Sequence, residues 1–536
     1  MLFLILLDGL NYEVFESLMK EGRLPNIRQY LLDELGGVWG EVLTTFPSAT
    51  APALPEMITG RYCYWHEHLP RKIHAFNRVK KEAYRYEFIE EAWENESDDL
   101  FEVVNRHRGQ VLSSFKGSFK KTTTSYYSEF FYGLDAITDF NSLDVFNYDE
   151  LVMMEIIRRL NKDPREYGMV FLYLTTTDLN GHFHGLDDPR YANSIIELDS
   201  LLGKLFANLK NLPGRHSPTC FEESHFIISG DHGMVSSGTY IDVARQFQNL
   251  QIPSLDLSGI FALLRNKLWS NWTEKLDVLV LPGGSSVAEL YVRNYRQKEA
   301  SSWSIVPAFS LLNSYPSRND PALRHNLMHQ LAAMQAIDLV MVQEDNDLYR
   351  IYSPLFGSAR IYRAGRRGSH RFLYHVPAST IAWHGGDPLG YTQNPHSRDL
   401  VVTDEDLTAG NVNEARFKER FFSEQQWLSA TYHTSRPLAV PYIAKAFSPH
   451  STRSDLIITS QPGFNFMKLS KGDHGGLNRG AIMSGLLLAG PRVNPYGSLQ
   501  QARLVDIYPT ILALLDIEDA ARHSRLDGTV LTSILR

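Results

Sequence analysis

The chain has 536 residues, 43% hydrophobic and 21% charged, which supports a packed globular protein and excludes disorder, collagen or coiled coil for the whole chain. Its 53 basic and 61 acidic side chains leave a net charge of −8 with histidine neutral. That balance argues against a general nucleic-acid-binding surface. At roughly 150 residues per domain, the length fits three to four domains or one large α/β core carrying insertions.

The chain opens with the apolar run Leu2–Leu7, followed at once by Asp8-Gly9. The run falls well short of the about 20 residues that cross a membrane, and it has neither the basic start nor the small-residue cleavage site of a signal peptide. It is expected to be a buried strand. The two cysteines, Cys63 and Cys220, make neither a disulfide framework nor a thiolate metal site. A reducing, cytoplasmic setting without membrane attachment is therefore expected. Further short apolar runs at 169–174, 226–228, 456–459 and 486–489 read as strands buried on both faces. Helical patterns at 12–32, 148–161, 191–211 and 502–515 alternate with them. The alternation predicts a doubly wound, mainly parallel α/β sheet, whose ligand crevice lies beyond the carboxyl ends of the strands. Residues 255–453 differ: short strand-like runs at 286–292, 338–342, 348–352, 359–362 and 372–376 are separated by Gly, Pro and Asn. We expect a core over 1–254 and 454–536 and an inserted, β-rich cap over 255–453. The aromatic and locally basic stretch 66–139 reads as a smaller insertion.

Several polar residues fall where the strands end. Thr50 precedes Ala51-Pro52, and Gly60 follows ten residues on. Proline favours the first turn of a helix and glycine the residue past its end, so Thr50 is expected at a helix N-terminus. A hydroxyl there stands beside free backbone N–H groups suited to a phosphoryl group. Asp178 and His182, four apart, can face one metal from a single helical turn. Asp231-His232 and Asp473-His474 each lie between glycines, which allow close backbone approach to an ion or ligand. Asp8, Asp178, His182, Asp231, His232 and His474 together offer oxygen and nitrogen ligands from four segments. Carboxylates gathered in one place repel each other, and divalent cations relieve that cost. The set suits two metals with open positions. Histidine and aspartate without cysteine favour zinc, with manganese or iron as alternatives.

These residues, in this order, resemble the alkaline phosphatase superfamily, and especially its type I phosphodiesterase/nucleotide pyrophosphatase branch. The matching elements are Asp8 after the first strand, Thr50-x-Pro52 running to Thr59-Gly60, Asp178-x-x-Gly181-His182, Asp231-His232-Gly233 and His474-Gly475. The segment 504–515 with Asp527-Gly528 resembles the superfamily's closing segment. The resemblance covers residues 1–243 and 454–536. It implies one metal on Asp178, His182 and His474, and another on Asp8, Asp231, His232 and the Thr50 hydroxyl. It further implies Thr50 as the nucleophile that forms a covalent phospho-threonine.

The branch carries a phosphoryl-binding Asn about twelve residues after its Thr-Gly pair. Counting from Thr59 gives Arg71 here, with Asn77 six residues on. Both are candidate substrate-binding residues, and Arg71 could clamp phosphate bidentately. The expected activity is hydrolysis of a small-molecule phosphodiester, nucleotide-type or other. A phosphomonoesterase or phosphotransferase on the same core is the alternative, and a non-catalytic binding descendant is a third reading. A sulfatase is disfavoured, because Thr50-Ala51-Pro52-Ala53-Leu54 lacks that branch's Cys/Ser-x-Pro-x-Arg.

Overall fold

The computed structural model describes residues 1–65, 74–85, 99–114, 124–125, 145–257, 275–298, 301–366, 368–380, 386–404, 406, 419–450, 452–468, 470–517 and 526–536. Arg71 and much of the stretch 66–139 lie outside them.

The central sheet is built from eight strands: β1 (Leu2–Leu7), β2 (Val38–Leu43), β3 (Gln110–Ser113), β4 (Thr124–Ser125), β5 (Tyr167–Leu174), β6 (His225–Ser229), β7 (Met483–Ala489) and β8 (Ala502–Arg503). Their order is β8-β2-β7-β6-β1-β5-β3-β4. Only β7 runs antiparallel to its neighbours among these strands. β1 is buried at every position, as a strand between two helical layers must be. The register aligns Leu7 with Leu174 and Leu6 with Ser229. Asp8, the turn before Asp178 and the turn before Asp231 therefore leave the sheet side by side at one edge.

Five helices place the site: α1 (Tyr12–Lys20), α2 (Thr50–Thr59), α3 (Val145–Leu160), α4 (Thr176–His184) and α5 (Pro189–Asn211). The helical pattern at 12–32 breaks in two. Gly22, at φ +70°, ends the first part, and Pro25 precedes a wide helical turn over Ile27–Glu34. The pattern at 502–515 divides into β8, a tight turn over Leu504–Asp506 and a helix over Ile507–Leu514. Asp506 folds this start by accepting from the Arg503 backbone N–H at 2.9 Å and from its guanidinium.

A second sheet of ten strands contains every strand-like run expected of the cap. It also contains Leu456–Ser460, paired antiparallel between Val287–Val292 and Ile337–Asp345. That strand was expected in the core. Its apolar pattern would suit a strand of either sheet, and the second sheet buries it at every position. The chain thus rejoins the first sheet later than residue 454, at β7. The largest hydrophobic cluster joins the two sheets: Leu4 and Leu6 of β1 belong to it together with Leu339, Met341 and Ile351.

Candidate active site

α2 begins at Thr50 and ends at Gly60, which is left-handed at φ +65°. Its N-cap is Ala49, whose side chain cannot cap. Ala53 N–H returns to the Ala49 carbonyl at 3.1 Å, and Pro52 has no N–H. The helix start therefore presents the Thr50 and Ala51 N–H groups together with the Thr50 hydroxyl. Thr50 Oγ lies 3.4 Å from Asp8 Oδ1 and 3.3 Å from His232 Nε2.

The expected ligands converge here. His232 Nε2 is 3.3 Å from Asp8 Oδ1 and 3.6 Å from Asp231 Oδ2. His182 Nε2 is 3.4 Å from Asp178 Oδ2 and 3.1 Å from His474 Nε2. The His232 and His474 rings stack with centroids 3.9 Å apart. Ligand atoms of Asp178, His182 and His474 lie within 4.8 Å of one another, and so do those of Asp8, Asp178 and His232. Asp178 thus stands between the two groups, where sequence reasoning gave it to one. Asp231 approaches through His232, while its Oδ1 accepts from the backbone N–H groups of Gly9 and His232.

Each histidine is held from behind by a carbonyl. His232 Nδ1 lies 2.9 Å from Gly233 O, His474 Nδ1 3.0 Å from Ser48 O, and His182 Nδ1 3.1 Å from Gly472 O. A carbonyl only accepts, so each Nδ1 carries the hydrogen and each Nε2 turns a lone pair toward the cluster. Two such lone pairs face each other at 3.1 Å in His182 and His474. Among the described residues, Asp178 Oδ1 and Asp231 Oδ2 are buried without a hydrogen bond of normal geometry. Converging lone pairs and unmatched carboxylate oxygens fit divalent cations.

The electrostatics agree. Burial, then the Asp8 carboxylate, raises Asp231 to about 7. Burial alone would lower His232, but Asp231 and Asp8 draw a proton onto it and raise it to about 10. Burial and the two neighbouring histidines push His474 well below its ordinary range.

Sequence reasoning missed three contributors. The Tyr173 hydroxyl donates to Asp8 Oδ2. Ser48 offers its carbonyl to His474 and takes the Gly475 N–H on its hydroxyl at 3.0 Å. Asp149 holds the start of α4, as argued below. None had a motif; only the alternation along β5, which turns Tyr173 the same way as Phe171, was available as a signal. The expectation about glycines changes as well. A Cβ on Gly472 would stand 2.2 Å from Gly181 O, and one on Gly233 2.1 Å from Gly480 O. These glycines let backbone segments pack against each other rather than against an ion.

Asn77 ends a strand of the hairpin His74–Asn77 and Glu82–Arg85. Its side-chain oxygen accepts from Val79 and Lys80 N–H at 3.1 and 3.0 Å, so it closes the turn. Among the described residues no hydrogen bond joins it to the Thr50 cluster.

A hydroxyl at a helix start, flanked by an Asp/His cluster at the carboxyl edge of a mainly parallel sheet, fits a phosphoric ester hydrolase. The sequence profile described as Type I phosphodiesterase / nucleotide pyrophosphatase matches residues 2–306. The chain belongs to that family. No curated protein is a significant match in sequence. Among solved structures, the fold is similar to murine ectonucleotide pyrophosphatase / phosphodiesterase 5, with a TM-score of 0.51 and 14% identity over 96% of this chain and 95% of that one. The human counterpart gives 0.51 and 15% over the same shares. An inactive form of the murine protein in complex with AMP gives 0.50 and 13%, covering 98% of each chain. At these identities the likeness is one of fold.

Proposed function

We propose that the chain cleaves phosphodiesters by attack of Thr50 Oγ on phosphorus, with two divalent ions held by the Asp/His cluster. The observation that carries this reading is the Thr50 hydroxyl, placed at a helix N-terminus within 3.4 Å of both Asp8 and His232. Asp178, His182 and His474 would hold one ion, and Asp8, Asp231 and His232 the other; zinc fits the His/Asp donor set best. Bound there, the ions supply positive charge to the phosphoryl oxygens and lower the pKa of hydroxyl and water nucleophiles. The chain's own residues do the rest. Asp8 and His232 fix the direction of Thr50 Oγ. The Thr50 and Ala51 N–H groups point at a non-bridging oxygen. The Thr50 hydroxyl gives up its proton as the Oγ–P bond forms, the bond from phosphorus to the leaving oxygen breaks, and that oxygen takes up a proton, so the step is proton-neutral overall. Water then attacks the phospho-threonine from the opposite side, releasing Thr50 and the phosphate monoester.

A structural relative has been solved with AMP, which supports a nucleotide-type ester as substrate. The test compares bis-p-nitrophenyl phosphate with p-nitrophenyl phosphate in parent and Thr50→Ala, with metal measured on the same samples. We expect close to two transition-metal ions per chain, a higher kcat/KM for the diester, and a loss of several orders of magnitude in Thr50→Ala. Equal rates in parent and Thr50→Ala would show that another group attacks.

A further inference from the structure

α4 carries Asp178 and His182, yet it has no cap of its own. Thr175 stands at its N-cap position in a helical conformation and makes no side-chain capping bond. Thr176 and Thr177, the first residues of the helix, are fully buried, so water cannot serve the exposed ends of its backbone. The missing acceptor comes from another helix. Asp149, in the first turns of α3 and 0% exposed, accepts from Thr175 N–H at 3.2 Å and Thr176 N–H at 3.0 Å. The Thr176 hydroxyl donates to the same carboxylate at 2.5 Å.

We propose that Asp149 is a positioning residue for the metal cluster, a cap supplied from α3 that fixes where α4 begins and therefore where Asp178 points. Three donors converge on one buried carboxylate, and the positive end of the α4 dipole favours its charge. Asp178 follows Thr176 by two residues, on the same first turn. It is also the carboxylate within reach of both ligand groups, so an error in the start of α4 is passed to the whole cluster. Without Asp149, the buried Thr176 N–H and the part-buried Thr175 N–H lose their acceptor, and the turn must shift or open to water. The run Thr175-Thr176-Thr177 takes its meaning from this contact, since the middle hydroxyl is the third arm of the clamp.

The inference rests on the two-metal reading, and the experiment separates the two. Metal-free parent, Asp149→Ala, Thr176→Val and Thr176→Ser are titrated with zinc by calorimetry, and backbone amide exchange is followed by mass spectrometry without metal. In Asp149→Ala we expect faster exchange confined to residues 175–182 and at least tenfold weaker binding of one zinc ion. Thr176→Val should show a smaller loss of the same kind, and Thr176→Ser should restore parent behaviour. Parent-like exchange and titration in Asp149→Ala would overturn the proposal. Exchange accelerated evenly through the core would also overturn it, by making Asp149 a residue of general stability. If the parent binds no zinc, the two-metal reading falls, while the exchange measurement still decides whether Asp149 clamps α4.

Discussion

Gly9 follows the first carboxylate of the site at φ +66°, and a Cβ there would stand 2.8 Å from Asp178 Oδ1. An L side chain in that conformation costs about 1–2 kcal/mol before any contact is counted. The contact falls on the carboxylate that both ligand groups share. Gly9→Ala is therefore expected to fold, with a native far-UV spectrum, yet to lose metal and most hydrolysis. Metal content and rate equal to the parent's would mean that Asp178 can move aside without consequence. His474→Ala should act through the opposite loss. It removes an Nε2 and leaves the Ser48 carbonyl without its donor. One ion should be lost, and activity with it, while the fold survives. The residues that cluster here were legible in the sequence because their spacing reflects one helical turn and three strand ends. Tyr173, Ser48 and Asp149 were not, because a lone Tyr, Ser or Asp acts here only through a distant partner.

At the scale of the element, α2 is held by a residue on its buried side. Glu56 is 1% exposed and accepts from the Thr45 hydroxyl at 3.0 Å and from Cys63 N–H at 3.1 Å. It bridges the segments that enter and leave the helix. Burial raises its carboxyl from 4.5 to about 8, against the pull of those hydrogen bonds. The folded chain thus keeps a proton that the unfolded chain releases near 4.5. The unfolded state binds fewer protons across this window, so stability present below about pH 4.5 is lost as pH rises toward 8. One group gives at most about 1.4 kcal/mol per pH unit. The pH dependence of Tm between 5 and 8, compared between parent and Glu56→Gln, isolates this share. The variant should show the flatter profile, and identical profiles would rule Glu56 out as its source. The C-terminal end of α2 is tied differently. Gly60 O receives the N–H groups of Asp527 and Gly528 at 2.9 and 3.1 Å, and Asp527 takes the Tyr62 N–H at 2.9 Å. The resemblance marked Asp527-Gly528 as part of a closing segment; the structure makes it the anchor of the helix that carries Thr50.

Across the whole molecule, sequence periodicity identified strands but not the sheet to which each belongs. β1, β5 and β6 were readable as core because a polar residue of the cluster follows each of them. Leu456–Ser460 ends in no such residue, and its apolar run fits the second sheet equally well. Its placement bears on cooperativity. The hydrophobic cluster that contains Leu4 and Leu6 of the first sheet continues through Leu339, Met341, Ile351 and Trp427 beside the second. The hairpin at 74–85 is fastened to the second sheet by Arg78, buried at 3% exposure and paired with Asp455. Its guanidinium also donates to the carbonyls of Arg453 and Trp303 at 3.0 Å. Removing one partner of such a pair typically costs about 3–5 kcal/mol. A chain joined by a shared apolar core should unfold as one unit, although its length would permit several. An ion bound at the edge of the first sheet should then stabilise both sheets together, by about 2.7 kcal/mol for each ion at a hundred times its Kd. Scanning calorimetry of the parent with saturating zinc, and again with chelator, should give a single transition that moves down as a whole on chelation. Arg78→Met should lower that same transition without dividing it. Two transitions, of which only one answers to the chelator, would show that the second sheet folds apart from the site.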